Sequence, residues 1–338
     1  MPVATRIPIT SAELGTLWMT YQANSMMQKM LEYFIEKTDD EAARKLLSTY
    51  YKDIGFVGSE INNIFKGEDA VIPVGFADSD VTKETPPLFD VFLPIMFLRI
   101  MTKILLGLNS IHLGLAFRKD IRDFFTNTWA INQKAFEMYT DYLLERGVLA
   151  QPPHVTMPKT AEFIEDKNYM SGFNPFTDKR SLNTIEVGYL SYVLESNIMG
   201  MQLLTGFAQV AKESEVRDYF IKGKELAKKV ISVCNDLLLQ SDIQPPSTWA
   251  GKASNSTVAP FSDKLMMFCT NFMSNNALGI SALGASFSLR SDLPAKLFSI
   301  AKDTFSYARE GGQILIKHRW LEEPPQMEDR NQLTKSKK

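Results

Sequence analysis

Residues 11–37, SAELGTLWMTYQANSMMQKMLEYFIEK, decide the fold once they are laid over residues 184–210, TIEVGYLSYVLESNIMGMQLLTGFAQV. In the first stretch Leu14, Leu17, Tyr21, Asn24, Gln28, Leu31 and Ile35 recur at alternating three- and four-residue steps. That is the seam of an amphipathic helix in a bundle. The second stretch repeats it at an offset of 173, with Glu13/Glu186, Gly15/Gly188, Leu17/Leu190, Asn24/Asn197 and Phe34/Phe207 identical. Carried on to 76/249 without a gap, 13 of 66 pairs are identical, against about four expected from average composition. Further on, 101–153 matches 273–325 at an offset of 172, pairing Gly107 with Gly279, Arg118 with Arg290, Asp120 with Asp292 and Pro152-Pro153 with Pro324-Pro325. The comparison places the one lost residue after Asp90/Asp263. The chain is an internal duplication.

Each copy reads as four helices, at about 11–37, 40–66, 88–118 and 121–147, then at about 184–210, 213–240, 262–289 and 293–320. Ser11, Asp39 or Asp40, and Asp120 are the expected caps of the first, second and fourth, because a short polar side chain there can accept from an orphan amide. Gly67 and Gly147 are expected to stop helices two and four, and Pro94 to lie in or near the first turn of helix three. Helices one and two, and helices three and four, are separated by a few residues, so each pair is an antiparallel hairpin. Between the pairs runs Glu68 to Pro87, rich in Pro, Asp and Gly. A 28-residue helix is roughly 42 Å long, and 20 extended residues reach about 66 Å. The segment can therefore return along the bundle and start helix three parallel to helix two. The expected fold is all-α, two tandem ferritin-like four-helix bundles with a long crossover in each. The expected division is 1–155, first bundle; 156–180, linker; 181–323, second bundle; and 324–338, flexible tail.

Composition narrows the classes. The chain has 338 residues, 45% hydrophobic and 22% charged, with a net charge of −2. That supports two real cores and supplies no basic field for nucleic acid. Two cysteines, Cys234 and Cys269, are too few for a disulfide framework. Nothing in residues 1–10 has the pattern of a secretory leader, so a cytoplasmic location is the expectation. Residues 92–117 are strongly apolar, but Arg99, Lys103, Asn109 and His112 interrupt them. Ionisable groups at that depth cost on the order of 2.5–3.5 kcal/mol each in a bilayer, so a helix buried in protein is expected, with no membrane span.

The tandem four-helix halves, the crossover and the length resemble an uncharacterised ferritin-like family of spore-forming Gram-positive bacteria, similar in fold to spore coat protein F. The resemblance covers nearly the whole chain and rests on architecture. It implies a ferritin-like fold and a spore or stress context, and it carries over no functional residue.

The residues themselves offer little chemistry. A ferritin-like di-metal site needs Glu-x-x-His on two helices, and that motif is absent; the histidines are His112, His154 and His318. Asn24 and Asn197 stand where a di-iron helix would present its Glu. Their seam position fits a buried amide that sets helix register or, with Gln28, the lining of a ligand cavity. His112 reads as a core or interface histidine, Cys234 and Cys269 as small buried groups, and the Met residues as core filler. No catalytic residue, metal ligand or cofactor is expected. The leading reading is a non-enzymatic structural or interaction protein, spore-coat or stress associated by resemblance. A small-ligand binding bundle is the alternative, and a di-metal enzyme with an unconventional site the remote one. Helix three of each copy is apolar or small nearly all round, with Gly107 and Gly114 in the first and Gly279 and Gly284 in the second. Interior glycine costs roughly 1 kcal/mol against Ala, so a closely approaching backbone is expected there. Both third helices should lie at a seam between bundles, packed on each other or on a second chain, making self-association or a protein partner the expected use.

Overall fold

The computed structural model describes residues 7–173, 179–246 and 250–335. Among them eight long helices form: α1 (Ser11–Lys37), α2 (Glu41–Gly67), α3 (Phe92–Gly114), α4 (Lys119–Glu145), α5 (Thr184–Val210), α6 (Ser214–Leu239), α7 (Asp263–Phe287) and α8 (Asp292–Lys317). A short exposed helix, α9 (Arg330–Lys335), lies within the expected tail. Local chemistry corrects some of the expected ends. Thr10, not Ser11, caps α1: its hydroxyl accepts from the Glu13 amide at 3.2 Å, and Glu13 reaches back to the Thr10 amide at 2.8 Å. Asp40 caps α2 through the Ala43 amide at 2.8 Å. Asp120 does not cap α4, which starts at Lys119; its carboxylate is held by the Arg118 guanidinium. Gly147 takes φ +64 just past α4, the left-handed closure that favours glycine.

Pairwise contacts fix the direction of every helix. Glu13, at the start of α1, bonds to the amides of Phe117 and Arg118, just past the end of α3. Asp40, before α2, bonds to Tyr142 and Arg146 at the end of α4. Thus α1 is antiparallel to α3 and α2 to α4. Three residues separate α1 from α2, making those two antiparallel as well, so α2 and α3 are parallel and the segment between them crosses the length of the bundle. The second half repeats this, Glu186 bonding to Leu289 and Arg290. The protein is two tandem four-helix bundles, as the repeat and loop lengths imply.

The two crossovers lie against each other. The Thr82 amide donates to the Pro260 carbonyl at 2.8 Å and the Ser254 amide to the Leu88 carbonyl at 2.8 Å; the Asp90 amide donates to the Lys252 carbonyl at 3.0 Å and the Ser262 amide to the Asp80 carbonyl at 2.9 Å. Isolated antiparallel bridges join Val81 to Phe261 and Phe89 to Ala253. Each bond becomes its mate when the two halves are exchanged at an offset of 172, so an internal two-fold axis runs through the paired crossovers. The same offset matches Asp90 and Ser262, whose side chains accept from the first-turn amides of Leu93 and Leu265 at 2.9 and 3.1 Å. The lost residue therefore lies before Asp80, not after Asp90 as direct comparison of the halves suggested.

Around this axis the two bundles share one core. It takes the halves of the helices nearest the crossovers, from Met30 and Phe34 in the first copy to Phe207 and Met266 in the second. The far ends keep separate cores, one around Leu17, Ile61 and Phe125, the other around Leu190, Cys234 and Leu293. Phe261 sits edge-on to Tyr33 and Phe34 and also against Phe207; Phe89 meets Phe207 in return. Glu322 adds a clasp, accepting from the Val74 and Gly75 amides at 2.8 and 2.6 Å.

The third helices do reach the seam between bundles, with a different partner from the one expected. α3 packs on α5 and α7 on α1, each against the first helix of the other half. The glycine argument fails at Gly107, Gly114 and Gly279, where an added Cβ would meet open space. Close approach occurs instead at Gly206 of α5, where a Cβ would come within 2.4 Å of the Phe89 ring. α3 is long and apolar enough to cross a membrane by composition, but 56% of its most apolar window is buried within the protein.

Because Phe261 ties three elements across the axis, truncating it should weaken both halves together. Phe261→Ala is expected to cost about 3–5 kcal/mol, the range for large core aromatics. Calorimetry should show a single transition moved to lower temperature. Two separate transitions, with the first bundle unmoved, would show that the bundles fold independently.

Candidate functional site

Two buried carboxylates organise the far ends. Glu13 and Glu186 are the third residues of α1 and α5, held in reciprocal capping boxes with Thr10 and Asn183. Both are fully buried. Each spends its remaining oxygen capacity on the turn between helices three and four: Phe117 and Arg118 at 2.8 and 2.7 Å, Leu289 and Arg290 at 3.1 and 3.0 Å. Burial pushes the Glu186 carboxyl up, but the Arg180 guanidinium and the amides of Arg290 and Asn183 outweigh it and hold it down at about 2. For Glu13, burial is likewise outweighed, here by the Arg118, Thr10 and Phe117 amides and the Thr10 hydroxyl. The next repeated pair completes the device: buried Arg118 and Arg290 each chelate the Asp two residues on, Asp120 and Asp292. The carboxylates were visible in the sequence as an identical pair. Their targets lie more than 100 residues away, so what they hold was not.

The polar seam positions fall into three environments. Asn24 is buried and donates to the Ile54 carbonyl at 3.1 Å, linking α1 to α2. Gln28, one turn on, lies 3.7 Å from the position of a Cβ at Gly55. Asn197 donates to Val193 on its own helix at 2.8 Å and borders a cavity of about 90 Å³ between α3 and the second bundle. His112 lies 3.3 Å from the Thr20 hydroxyl and edge-on to Phe125. Burial alone pulls its imidazole down to about 4, so it is neutral at physiological pH. The four do not converge on one cavity. Cys234 and Cys269 are buried, and burial raises both thiols, Cys234 to about 12. Among the described residues no three His, Cys, Asp or Glu side chains gather as a metal site would need.

Both halves match one family, residues 2–160 and again 170–333, described as a protein of unknown function, DUF3231. The chain belongs to the DUF3231 family. No curated protein matches it significantly. A solved structure, that of a putative spore coat protein from Bacillus halodurans C-125, is similar at 14% identity and a TM-score of 0.40. That similarity covers 44% of the present chain and 98% of the other.

Two further features of this DUF3231 chain escaped the sequence reading. The first is a charge cluster at the α3–α5 seam, where Arg99 and Lys103 both pair with Glu195. In the sequence these cations only interrupted an apolar run. The second is the place where the third helices, apolar nearly all round in the sequence, leave that character exposed, which is at their far ends. Ile111, Leu115 and Phe117 recur as Leu283, Phe287 and Leu289 at the same repeat positions, and all six are exposed.

The carboxylate staples make acid stability predictable. Glu186 titrates at about 2 in the fold against an ordinary 4.5. Its contribution is thus complete above pH about 4.5 and lost as pH falls through about 2, on the order of 3 kcal/mol in all. His112 acts in the same direction at higher pH, since the unfolded chain takes up its proton first between about 6.5 and 4. Glu186→Gln should destabilise the protein at neutral pH by about 2–4 kcal/mol, with the gap to wild type closing at low pH in urea melts. Equal stability at neutral pH would remove the staple from the account.

Proposed function

We propose that this protein is a non-enzymatic structural and interaction protein that assembles with copies of itself through the far ends of α3 and α7. The observation that carries the reading is the duplicated apolar set. Ile111 and Phe117 are 61% and 66% exposed, and their counterparts Leu283 and Leu289 are exposed as well. Scattered single apolar residues on a surface need no explanation, but grouped ones mark contact sites. The two sets flank the separate far cores of the two bundles, one in each. A chain with two related patches can engage two neighbours, and repetition of such a contact propagates into an extended assembly. The one-crossover topology fits the ferritin-like reading, and a spore or stress setting, implied by the resemblance in architecture, would suit an assembling protein. The groups with reactive potential support the same reading. The thiols are buried and raised, His112 is neutral, and the buried carboxylates are saturated by backbone amides.

Sedimentation velocity should show a mass that rises with concentration. Ile111→Asp with Leu283→Asp should return a monomer, and either change alone should stop growth at small oligomers. A monomer at every concentration up to the solubility limit would overturn the proposal, as would growth indifferent to the double substitution.

A further inference from the structure

A cavity of about 360 Å³ opens between α3, the segment after α4, α5 and the second crossover. The volume falls within the roughly 300–1,000 Å³ of small-molecule sites. Most of its wall is apolar, including Met96, Leu149, Ile198 and Met199. Arg99, Lys103 and Glu195 meet at this wall. Lys103 bonds to Glu195 at 2.7 Å and sits 4.1 Å above the Tyr192 ring. Arg99 bonds to Thr140 at 2.9 Å through Nε and to Glu195 through Nη1. Two cations thus face one anion, and the cluster carries an uncompensated positive charge in a partly desolvated place. Burial pulls the Lys103 ammonium down despite Glu195, so the excess charge is held at a cost. The Ser191 hydroxyl, also on the wall, is buried with no hydrogen-bond partner. A buried hydroxyl left unmade in this way is uncommon in folded proteins.

The fold does not require these charges. The internal two-fold carries Arg99, Lys103 and Glu195 onto Asn271, Asn275 and Gln22 of the α7–α1 seam, all uncharged. There Asn271 donates to Ala308 at 2.7 Å and accepts from Asn275 at 3.2 Å. Where Val148 lines the cavity, the counterpart is Trp320, packed against the shared core. At these three positions one seam is uncharged, with a large aromatic opposite Val148; the other carries two cations and an anion around a cavity.

We propose that the α3–α5 cavity is a binding site for a monocarboxylate with an apolar body. The carboxylate takes the place beside Lys103 and Arg99 within reach of Ser191, and the body lies along Met96, Ile198 and Met199. The carboxylate balances the surplus cation, and the apolar wall covers the rest of the ligand. This site stands apart from the assembly surfaces and does not depend on them.

The test uses the full chain and decanoate below its micellar range, with decanol as the uncharged counterpart, by titration calorimetry. Decanoate should bind at one per chain, and decanol about tenfold or more weaker. Lys103→Met should weaken decanoate by about tenfold, and Glu195→Gln, which removes the competing anion, should tighten it. Ile198→Trp should abolish binding by filling the cavity. Circular dichroism checks that each variant is folded, and the opposite signs of the Lys103 and Glu195 effects keep the test decisive if one variant fails. Absence of saturable decanoate binding would overturn the proposal. So would equal affinity for decanol, or indifference to both charge substitutions.

Discussion

The pairing of the two crossovers is the constraint on which the rest of the structure depends. A long loop rich in Pro, Asp and Gly cannot satisfy its own backbone groups, and buried amides left unpaired are costly. Each crossover here supplies the partner for the other, in one antiparallel register from Asp80–Ser262 to Asp90–Lys252. That register holds the ends of α3 and α7 in place and points Leu88, Phe89 and Phe261 into a core drawn from both halves. A lone half would leave those side chains and amides in water. The duplication therefore produces one folding unit with an internal two-fold axis.

Helix positions were legible in the sequence because they are set locally, by a 3.6-residue period and by caps within a turn. Crossover topology was legible from loop length alone. How the halves meet was not, because it rests on a few bonds between irregular segments about 170 residues apart, with no strand pattern to announce them. The glycines illustrate the limit. Gly107 and Gly279 looked like points of close approach and prove to face open space, whereas Gly206, which admits Phe89, had no mark beyond being a glycine. Of the two matched polar seam positions, Asn24 is buried and Asn197 half-buried, a difference the repeat does not announce. The charged seam of Arg99, Lys103 and Glu195 depends on a contact between the halves that only the fold creates.

The low identity between the halves has a physical explanation in compensated exchanges. In the first bundle Tyr50 and Tyr139 meet edge-on between α2 and α4, with Leu46 and Ala135 one turn away. In the second, glycines Gly223 and Gly311 stand at the positions of the two tyrosines, and Tyr219 and Tyr307 replace Leu46 and Ala135, stacking at 4.2 Å. A Cβ at Gly223 would come within 2.1 Å of the Tyr307 hydroxyl, so the move required the glycine. The tyrosine pair is kept one turn away while all four residues change, and the smaller total side-chain volume in the second bundle goes with a cavity of about 90 Å³ lined in part by Gly223 and Tyr307. Among the pairs that stayed identical, Glu13 and Glu186 have a role that an exchange of packing volume could not supply, holding the backbone turns they bind. The halves also differ at their seams: Arg99, Lys103 and Glu195 in one stand where the other has Asn271, Asn275 and Gln22.

The most direct test of the single-unit account is amide hydrogen exchange across the crossovers. The Thr82, Asp90, Ser254 and Ser262 amides should exchange only through global unfolding, with the same free energy and denaturant dependence as the core amides of α1 and α5. Fast exchange at those four positions, while the helices of both bundles stay protected, would show that the crossovers open without cost and that the bundles are held together by something else.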